Sequence, residues 1–100
     1  MAAAVEVLRL LAEPTRLRLM WALGADDELD VATLTERVGV ARPLVSQHLA
    51  RLRLTGLVVA RRVGRRQLYR SRGRHVRALA LEALSLGQHR LGAADGERYD

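Results

Sequence analysis

The chain has 100 residues, a formal net charge of +6, no cysteine and few aromatic residues. This length predicts a single domain, residues 1–100, with a modest aliphatic core. The lack of cysteine excludes disulfides and thiolate metal sites. The apolar stretches are short and interrupted by charge, and no basic segment follows Met1. We therefore expect no signal peptide and no membrane span, and we place the protein in the cytoplasm.

The charges are unevenly distributed along the chain. All 17 cations are arginines, and residues 37–81 contain twelve of them without one acid, whereas residues 1–36 carry a net −4 and residues 82–100 a net −2. An uninterrupted basic block inside a folded domain is typical of proteins with a polyanionic partner. A GC-rich genome explains arginine in place of lysine, but it does not explain the missing acids. The distribution therefore predicts nucleic-acid binding.

Two helices are predicted in the first quarter of the chain. The first covers about residues 2–12 and is apolar almost all round, which indicates burial against a second subunit as well as against its own core. The second starts at Pro14 and is ended by Gly24. Its apolar side chains are Leu17, Met20, Trp21 and Leu23. An acidic loop follows, with a short strand near Leu29.

The next segment has the pattern of a helix-turn-helix. Asp30 is expected to cap a third helix, Val31–Val38, which Gly39 ends. A fourth helix begins around Arg42 and runs to about Leu54. Its core side chains recur at i, i+4 and i+7: Val45, Leu49 and Leu52. Two short helices joined by a tight turn containing glycine, here residues 31–54, are typical of this DNA-binding motif.

Residues 57–71 predict a β-hairpin. Leu57–Val63 is rich in valine, Gly64 and Arg65 form a two-residue turn, and Arg66–Ser71 returns as the second strand. We call residues 57–71 the wing. A helix-turn-helix followed by a basic hairpin predicts a winged helix-turn-helix, mainly α with a small antiparallel hairpin. A last helix is expected over about residues 75–89, followed by a loosely ordered tail, Arg90–Asp100.

The fourth helix is expected to read DNA with the side opposite its core stripe. With Val45 in the core, a rotation of 100° per residue places Pro43, Ser46, Gln47 and Ala50 on that side. Gln47 can pair bidentately with adenine, and Arg42 with guanine or a phosphate. Wing arginines suit a narrow minor groove or flanking phosphates. The predicted DNA contacts are Arg42, Pro43, Ser46, Gln47, Arg53, Arg61, Arg62, Arg65 and Arg66.

A catalytic interpretation has little support. Ser46 and His48 lie on one helix, but no carboxylate occurs between Glu36 and Glu82, and no glycine-rich phosphate loop is present. We therefore expect that the protein is not an enzyme. His48 lies beside the core stripe, which favours a packed structural histidine over a base contact.

Three stretches resemble the ArsR/SmtB family of bacterial transcription factors: LAEPTRLRLMWAL, VATLTERVGVARPLVSQHLARLRLTGLV and RRVGRRQLYR. The resemblance implies a homodimer joined by the first and last helices, residues 2–12 and 75–89, that binds a palindromic operator. It also implies relief of repression by a ligand, often a metal ion. By position, Arg42, Pro43, Ser46 and Gln47 match the operator-contacting residues of the family.

The metal ligands of the family are only half present. In the family that this sequence resembles, members that sense zinc, cobalt or nickel through the last helix carry two ligand pairs. One is an Asp-x-His pair at the start of the helix, and the other is a His-x-x-His pair near its end. Here Gly73-Arg74-His75 and Leu86-Gly87-Gln88-His89 each keep one histidine. Cysteine ligands near the recognition helix have no counterpart.

The two remaining histidines can still share a site across a dimer. They are about 21 Å apart along the predicted helix, so one chain cannot chelate an ion with both. The same separation is nearly four full turns, so both histidines lie on one face of the helix. If two copies pack antiparallel, His75 of one chain approaches His89 of the partner subunit, which gives two sites per dimer. Two imidazoles do not close a metal site, so Glu97, another tail carboxylate, Gln88 or water must complete it. Nitrogen and oxygen ligands suit Ni(II), Co(II) or Zn(II), and more than four ligands favour nickel.

Two alternatives stay open at the level of sequence. One is a regulator of the same fold that does not sense metal and acts constitutively or through a partner protein. The other is a non-specific architectural protein that coats DNA, although such a protein does not need its cations organised around a helix-turn-helix and a wing.

Overall fold

The computed structural model describes residues 1–23 and 28–96, with side chains described as far as His89. The elements, in chain order, are α1 (Ala2–Leu11), α2 (Pro14–Ala22), β1 (Leu29–Asp30), α3 (Val31–Val38), α4 (Arg42–Leu54), β2 (Val58–Val63), β3 (Arg66–Ser71) and α5 (Arg74–Gly96). The three strands form one antiparallel sheet in the order β1-β3-β2. The described part of the chain is thus mainly helical, as predicted, and β1 adds a third strand to the hairpin. Among its helices, none has the length and apolar character needed to cross a membrane.

Local capping sets the limits of the helix-turn-helix. The Asp30 carboxylate accepts a hydrogen bond of 2.9 Å from the Thr33 amide and caps α3, as the sequence predicted. Gly39 ends α3 in the left-handed region with φ of 72°. A residue with a side chain is strained in this conformation, so the glycine allows the tight turn into α4. Glu13 caps α2 in the same way, accepting from the Arg16 amide at 2.9 Å.

One aliphatic core joins the helices to the base of the sheet. The core stripe predicted for α4 is confirmed, because Val45, Leu49 and Leu52 are fully buried. The side chains that pack around this stripe come from α1, α2, α3, β2 and α5: Leu10, Leu11, Leu19, Met20, Leu23, Leu34, Val38, Leu57, Val58 and Ala80. The core fixes α4 on one side and therefore leaves its other side exposed.

The register of the sheet divides the wing into two faces. Residues directly opposite one another in an antiparallel ladder lie on the same side of the sheet, and the side alternates along each strand. The pairs Val58–Ser71, Ala60–Tyr69 and Arg62–Gln67 form the inner face, which carries buried side chains at its core end. The pairs Val59–Arg70, Arg61–Leu68 and Val63–Arg66 form the outer face, and Asp30 of β1 extends it because it lies opposite Leu68.

The last helix is longer than predicted. We expected a loose tail from Arg90, but α5 continues to Gly96, so that prediction is wrong for residues 90–96. Leu91, Ala93 and Ala94 are good helix formers, and Gly92, the one glycine of this stretch before the final residue Gly96, costs only about 1 kcal/mol relative to alanine. The remainder of the predicted tail, residues 97–100, lies outside the described residues, as does Gly24, the predicted end of α2.

The second helix also differs in one side chain. Met20 and Leu23 are buried as predicted for the apolar side of α2, and Leu17 is partly buried. Trp21, however, is 54% exposed and lies beside α5 rather than in the core. The single chain therefore leaves a large aromatic surface uncovered.

Candidate nucleic-acid interface

The exposed side of α4 carries the residues predicted to read DNA. Arg42, Pro43, Ser46, Gln47 and Arg53 are all exposed. Pro43, Ser46 and Gln47 lie away from the buried stripe, and Arg42 and Arg53 flank that side of the helix. Their polar groups are therefore available to base edges or phosphates. Among the described residues, neither Arg42 nor Arg53 forms an ion pair within the chain.

Sequence reasoning missed one prominent member of this surface. Leu54 is 89% exposed at the end of α4. Leu54 is nine positions after Val45, which corresponds to two and a half turns of helix. The same rotation of 100° per residue would therefore have placed Leu54 opposite the core.

A groove separates the end of α4 from the inner face of the wing. It is lined by Ala50, Arg53 and Leu54 of α4 and by Tyr69 of β3. Tyr69 is half-buried and packs against the core, so it joins the hairpin to the reading helix. We did not predict a role for Tyr69, because its place opposite α4 depends on the strand register.

His48 links α4 to the start of α2. Arg16 Nη1 lies 3.2 Å from His48 Nδ1, and Arg16 Nε donates to the Leu10 carbonyl at 2.6 Å. The guanidinium can only donate, so His48 Nδ1 accepts and the proton is on Nε2. His48 Nε2 lies 3.8 Å from the Glu13 carboxylate. His48 is thus a packed, hydrogen-bonded residue beside the exposed side of α4, in keeping with the structural role expected for it.

The two faces of the sheet separate the four wing arginines predicted to bind DNA. Arg62 lies on the inner face, and Arg65 occupies the turn with Gly64, whose φ is 63°. Both side chains are exposed and form no ion pair in the part of the chain that the structure describes. Arg61 and Arg66 lie on the outer face. Of the four wing arginines predicted to bind DNA, Arg62 and Arg65 are therefore the two without an ion pair among the described residues.

The outer-face arginines are paired with carboxylates from the acidic first third of the chain. Arg61 Nε and Nη2 donate to the two carboxylate oxygens of Glu28 at 2.6 and 2.7 Å. Arg66 Nη2 lies 3.2 Å from Asp30 Oδ2. The basic block has no acids in sequence, but β1 and the residue before it bring two of them against the wing. We did not foresee this compensation, because it depends on β1 pairing with β3.

The electrostatic environment keeps both carboxylates ionised. The hydrogen bond from Arg61 is the main cause that lowers the pKa of Glu28, and the positive charges of Arg61 and Arg70 lower it further. For Asp30, the hydrogen bond from the Thr33 amide is the largest cause of a lowered pKa, with a smaller contribution from Arg66. Both ion pairs are therefore present at neutral pH.

The candidate metal ligands lie on α5 and do not form a cluster within one chain. His75 and His89 are both exposed and lie on the same helix, fourteen residues apart. Among residues 1–23 and 28–89, no group of three or more His, Asp or Glu side chains could hold an ion. Glu97, the third candidate, lies outside the described residues. Imidazole nitrogens on an exposed helix face suit a borderline metal ion, but only with donors from elsewhere.

Apolar side chains are also exposed on helices other than the reading helix. Val5 and Leu8 of α1 and Leu79 and Leu86 of α5 are exposed. Trp21 lines a groove between α2 and α5 together with Arg18, Leu81, Leu84, Ser85 and Gln88. Exposed large apolar side chains that lie together, as along this groove, are typical of a protein–protein contact.

A helix-turn-helix whose second helix presents a polar side next to a basic hairpin defines the winged helix-turn-helix class of DNA-binding folds. Residues 13–59 match the family model described as "Bacterial regulatory protein, arsR family". The chain is 37% identical over 95 residues to the HTH-type transcriptional regulator NmtR of Mycobacterium tuberculosis, which covers 94% of this chain and 78% of NmtR. The chain belongs to the ArsR/SmtB family of bacterial transcriptional regulators.

Other relatives agree with this assignment. The chain is 47% identical over 85 residues to the HTH-type transcriptional regulator KmtR of M. tuberculosis, and the match covers 85% of this chain but 65% of KmtR. A match to the transcriptional repressor SmtB of the same species has 39% identity and covers 83% of this chain and 61% of SmtB. The chain thus spans less than two thirds of these two proteins. These relatives are regulators, not enzymes, which agrees with the expectation from Ser46 and His48.

Solved structures share the fold. The transcriptional repressor BigR of Xylella fastidiosa superposes with a TM-score of 0.75 at 29% identity, covering 83% of this chain and 84% of BigR. A homodimeric winged helix-turn-helix DNA-binding domain from Mycobacterium bovis also gives 0.75, at 31% identity, covering 90% of this chain and 82% of that domain. The predicted fold class is therefore confirmed.

Proposed function

We propose that this chain is a homodimeric transcriptional regulator that binds a palindromic DNA operator in the cytoplasm, and that a divalent transition metal controls this binding. The observation that carries the proposal is the exposed side of α4, where Pro43, Ser46 and Gln47 lie away from a fully buried stripe and Arg42 flanks them. The free arginines Arg62 and Arg65 continue this surface onto the wing. A helix of this kind reads base edges in the major groove, while neighbouring cations bind phosphates.

The dimer is supported by apolar surface that a single chain leaves open. Val5 and Leu8 of α1, Trp21, and Leu79 and Leu86 of α5 are exposed on helices other than the reading helix. Contact between two copies through α1 and α5 would cover them. A two-fold dimer presents two reading helices to two half-sites about one helical turn of DNA apart, which requires a palindromic operator.

The metal is proposed to bind between subunits, at His75 of one chain and His89 of the partner subunit. Two imidazoles leave coordination positions for Gln88, water or a carboxylate such as Glu97. This donor set contains nitrogen and oxygen but no sulfur and therefore suits Ni(II), Zn(II) or Co(II). We propose Ni(II) in preference to the other two, because a mixed shell of more than four ligands favours nickel. The bound ion would supply a bridge that couples the α5 helices, and through them the distance between the two reading helices.

A mobility-shift series on the DNA upstream of the chain's own coding sequence tests the proposal. We expect a discrete complex that survives excess random competitor DNA and changes in affinity with nickel. A complex that random DNA displaces equally well would instead favour an architectural protein. The sign of regulation stays open, because the relatives include the transcriptional repressor SmtB and the transcriptional activator HlyU of Vibrio cholerae.

The metal component has a separate test. Isothermal titration of nickel and zinc into the wild type and His75→Ala is expected to show a strong loss of nickel affinity in the variant. Sedimentation of both proteins controls for loss of the dimer. Equal nickel affinity in the two proteins would remove the proposed metal site and leave a regulator of the same fold that does not sense metal. That second candidate is favoured by the missing half of the family's ligand set.

A further inference from the structure

The outer face of the wing concentrates opposite charges that do not belong to the reading helix. Arg61, Arg66 and Arg70 all lie on this face, and Glu28 and Asp30 come against it from β1 and the residue before it. These two acids form two of the ion pairs in the described part of the chain, and both pairs join residues more than thirty positions apart. The fold thus brings counter-charges to the wing that the sequence around the hairpin lacks.

We propose that Glu28 and Asp30 set how many wing arginines are available to the DNA backbone. By holding Arg61 and Arg66, they lower the affinity of the protein for DNA of any sequence. This inference rests on the proposed DNA-binding function. It identifies two acidic residues, outside the DNA-contacting surface, that control the strength of sequence-independent binding.

The geometry of the Arg61–Glu28 pair supports this role. The contact is bidentate, and the Glu28 side chain is only 23% exposed, whereas the Arg61 side chain is 63% exposed. The carboxylate is therefore the more buried partner, and the guanidinium is the partner that solvent or a phosphate can reach. Bidentate arginine–carboxylate pairs are among the strongest charge-assisted contacts in proteins. A phosphate must displace Glu28 or bind a guanidinium whose charge is already compensated.

Asp30 is held even more firmly, because its carboxylate also caps α3. One of its oxygens accepts from the Thr33 amide and caps α3, and the other accepts from Arg66 Nε at 3.3 Å and lies 3.2 Å from Nη2. The cap fixes the position of the carboxylate relative to the helix-turn-helix. Leu68 lies between Asp30 and Arg61 in the ladder and is buried, so the two ion pairs lie on either side of an apolar side chain.

The consequence is a smaller number of counterions released on binding. Each phosphate neutralised by a free cation adds about 0.9 to the slope of log K against log salt concentration. An arginine already paired with a carboxylate contributes little to this slope, since its own counter-charge travels with it. Arg61 and Arg66 therefore contribute to the net charge of the chain, but they contribute little to the salt dependence of its DNA affinity.

Glu28→Gln tests the proposal directly. The amide keeps the size of the side chain and removes its charge, so Arg61 becomes free. With a random-sequence duplex, we expect binding about fivefold tighter per freed arginine at 0.15 M salt, and a slope steeper by about 0.9 per freed arginine, or about 1.8 for a dimer. Asp30→Asn is the second variant. Asparagine is also a good N-cap, so it should preserve α3 while releasing Arg66 and produce the same direction of change.

Two controls separate this effect from a general change in net charge. Glu36→Gln removes one exposed charge from α3, where no ion pair is formed within the described residues, and is expected to change the slope much less. In an Arg61→Gln background, Glu28→Gln should have no further effect on the slope. Thermal melting of each variant confirms that it is folded.

The opposite results are equally clear. An unchanged or shallower slope for Glu28→Gln, or an effect that persists without Arg61, would overturn the proposal while leaving DNA binding intact. Failure of the wild type to bind duplex DNA at low salt would instead overturn the proposed function, and this inference with it.

Discussion

The reading helix and the wing are neighbouring basic surfaces, but different physical causes determine which of their side chains are free. In α4 the helical period alone separates buried Val45, Leu49 and Leu52 from exposed Pro43 and Gln47. In the wing, strand register and two acids, Asp30 of β1 and Glu28 just before it, decide the outcome. Arg61 is paired, whereas Arg62 has no ion pair among the described residues. A count of arginines along the chain therefore predicts the number of unpaired cations on α4 well, but it overestimates that number on the wing.

The largest expected effect tests the buried side of α4. Leu49 is fully buried in the core, so Leu49→Ala should lower the free energy of unfolding by about 2–5 kcal/mol through lost burial and a cavity. Leu54→Ala is the matched control on the same helix, since Leu54 is 89% exposed, and should change stability by less than about 0.5 kcal/mol. Urea denaturation measures both. Similar losses for the two variants would show that the helix is rotated from the orientation described.

The next effect concerns the exposed side of α4 and the tip of the wing. Gln47→Ala should relax the preference at one base pair by about 1–3 kcal/mol, because a bidentate base contact is lost. Arg65→Ala should instead weaken binding about equally for all sequences and flatten the salt dependence, because a phosphate contact is lost. Binding to a panel of single-base operator variants separates the two. Exchanged effects would contradict the proposed docking.

The fold could be predicted from the sequence wherever neighbouring residues determine it. The Asp30 cap, the Gly39 turn and the Gly64–Arg65 hairpin turn are local features, and each lies where its sequence pattern indicated. The contacts between Glu28 and Arg61 and between Arg16 and His48 join residues 33 and 32 positions apart. Such contacts depend on how the helices and strands pack together, and the periodicity of apolar residues does not specify that packing. The end of α5 was missed for a different reason, because one glycine is too weak a signal to end a helix.

The two faces of the wing can be compared directly with a pair of arginine variants. Arg62 lies free on the inner face, so Arg62→Ala should weaken operator binding about fivefold per contact and lower the salt slope by about 0.9 per protomer. Arg66 is already paired with Asp30 on the outer face, and Arg66→Ala should change affinity less than about twofold. Fluorescence anisotropy at several salt concentrations gives both quantities. Equal losses for Arg62→Ala and Arg66→Ala would mean that the two faces do not differ in DNA binding.

The smallest expected effect is the pH dependence of stability that the outer-face pairs contribute. The pKa of Glu28 is lowered in the folded chain, chiefly by its hydrogen bond from Arg61, so folding favours the ionised carboxylate. Its contribution to stability is therefore fully present above the pKa of the unfolded chain, near 4.3, and is lost as the pH falls through the lower pKa of the folded chain. We expect the wild type to melt above Glu28→Gln at pH 7 and the difference to disappear in acid.

Arg61→Gln provides the matched variant for this measurement, since it removes the other member of the same pair. It should lose stability at pH 7 and approach the wild type in acid, as Glu28→Gln does, because a protonated carboxyl no longer attracts the guanidinium. High salt should also reduce both differences, since the Arg61 side chain is 63% exposed and screening acts on exposed charges. A melting difference that stays constant from pH 7 to pH 3 would mean that packing, not charge, holds Glu28 against the wing, and the outer face would then resemble α4 after all.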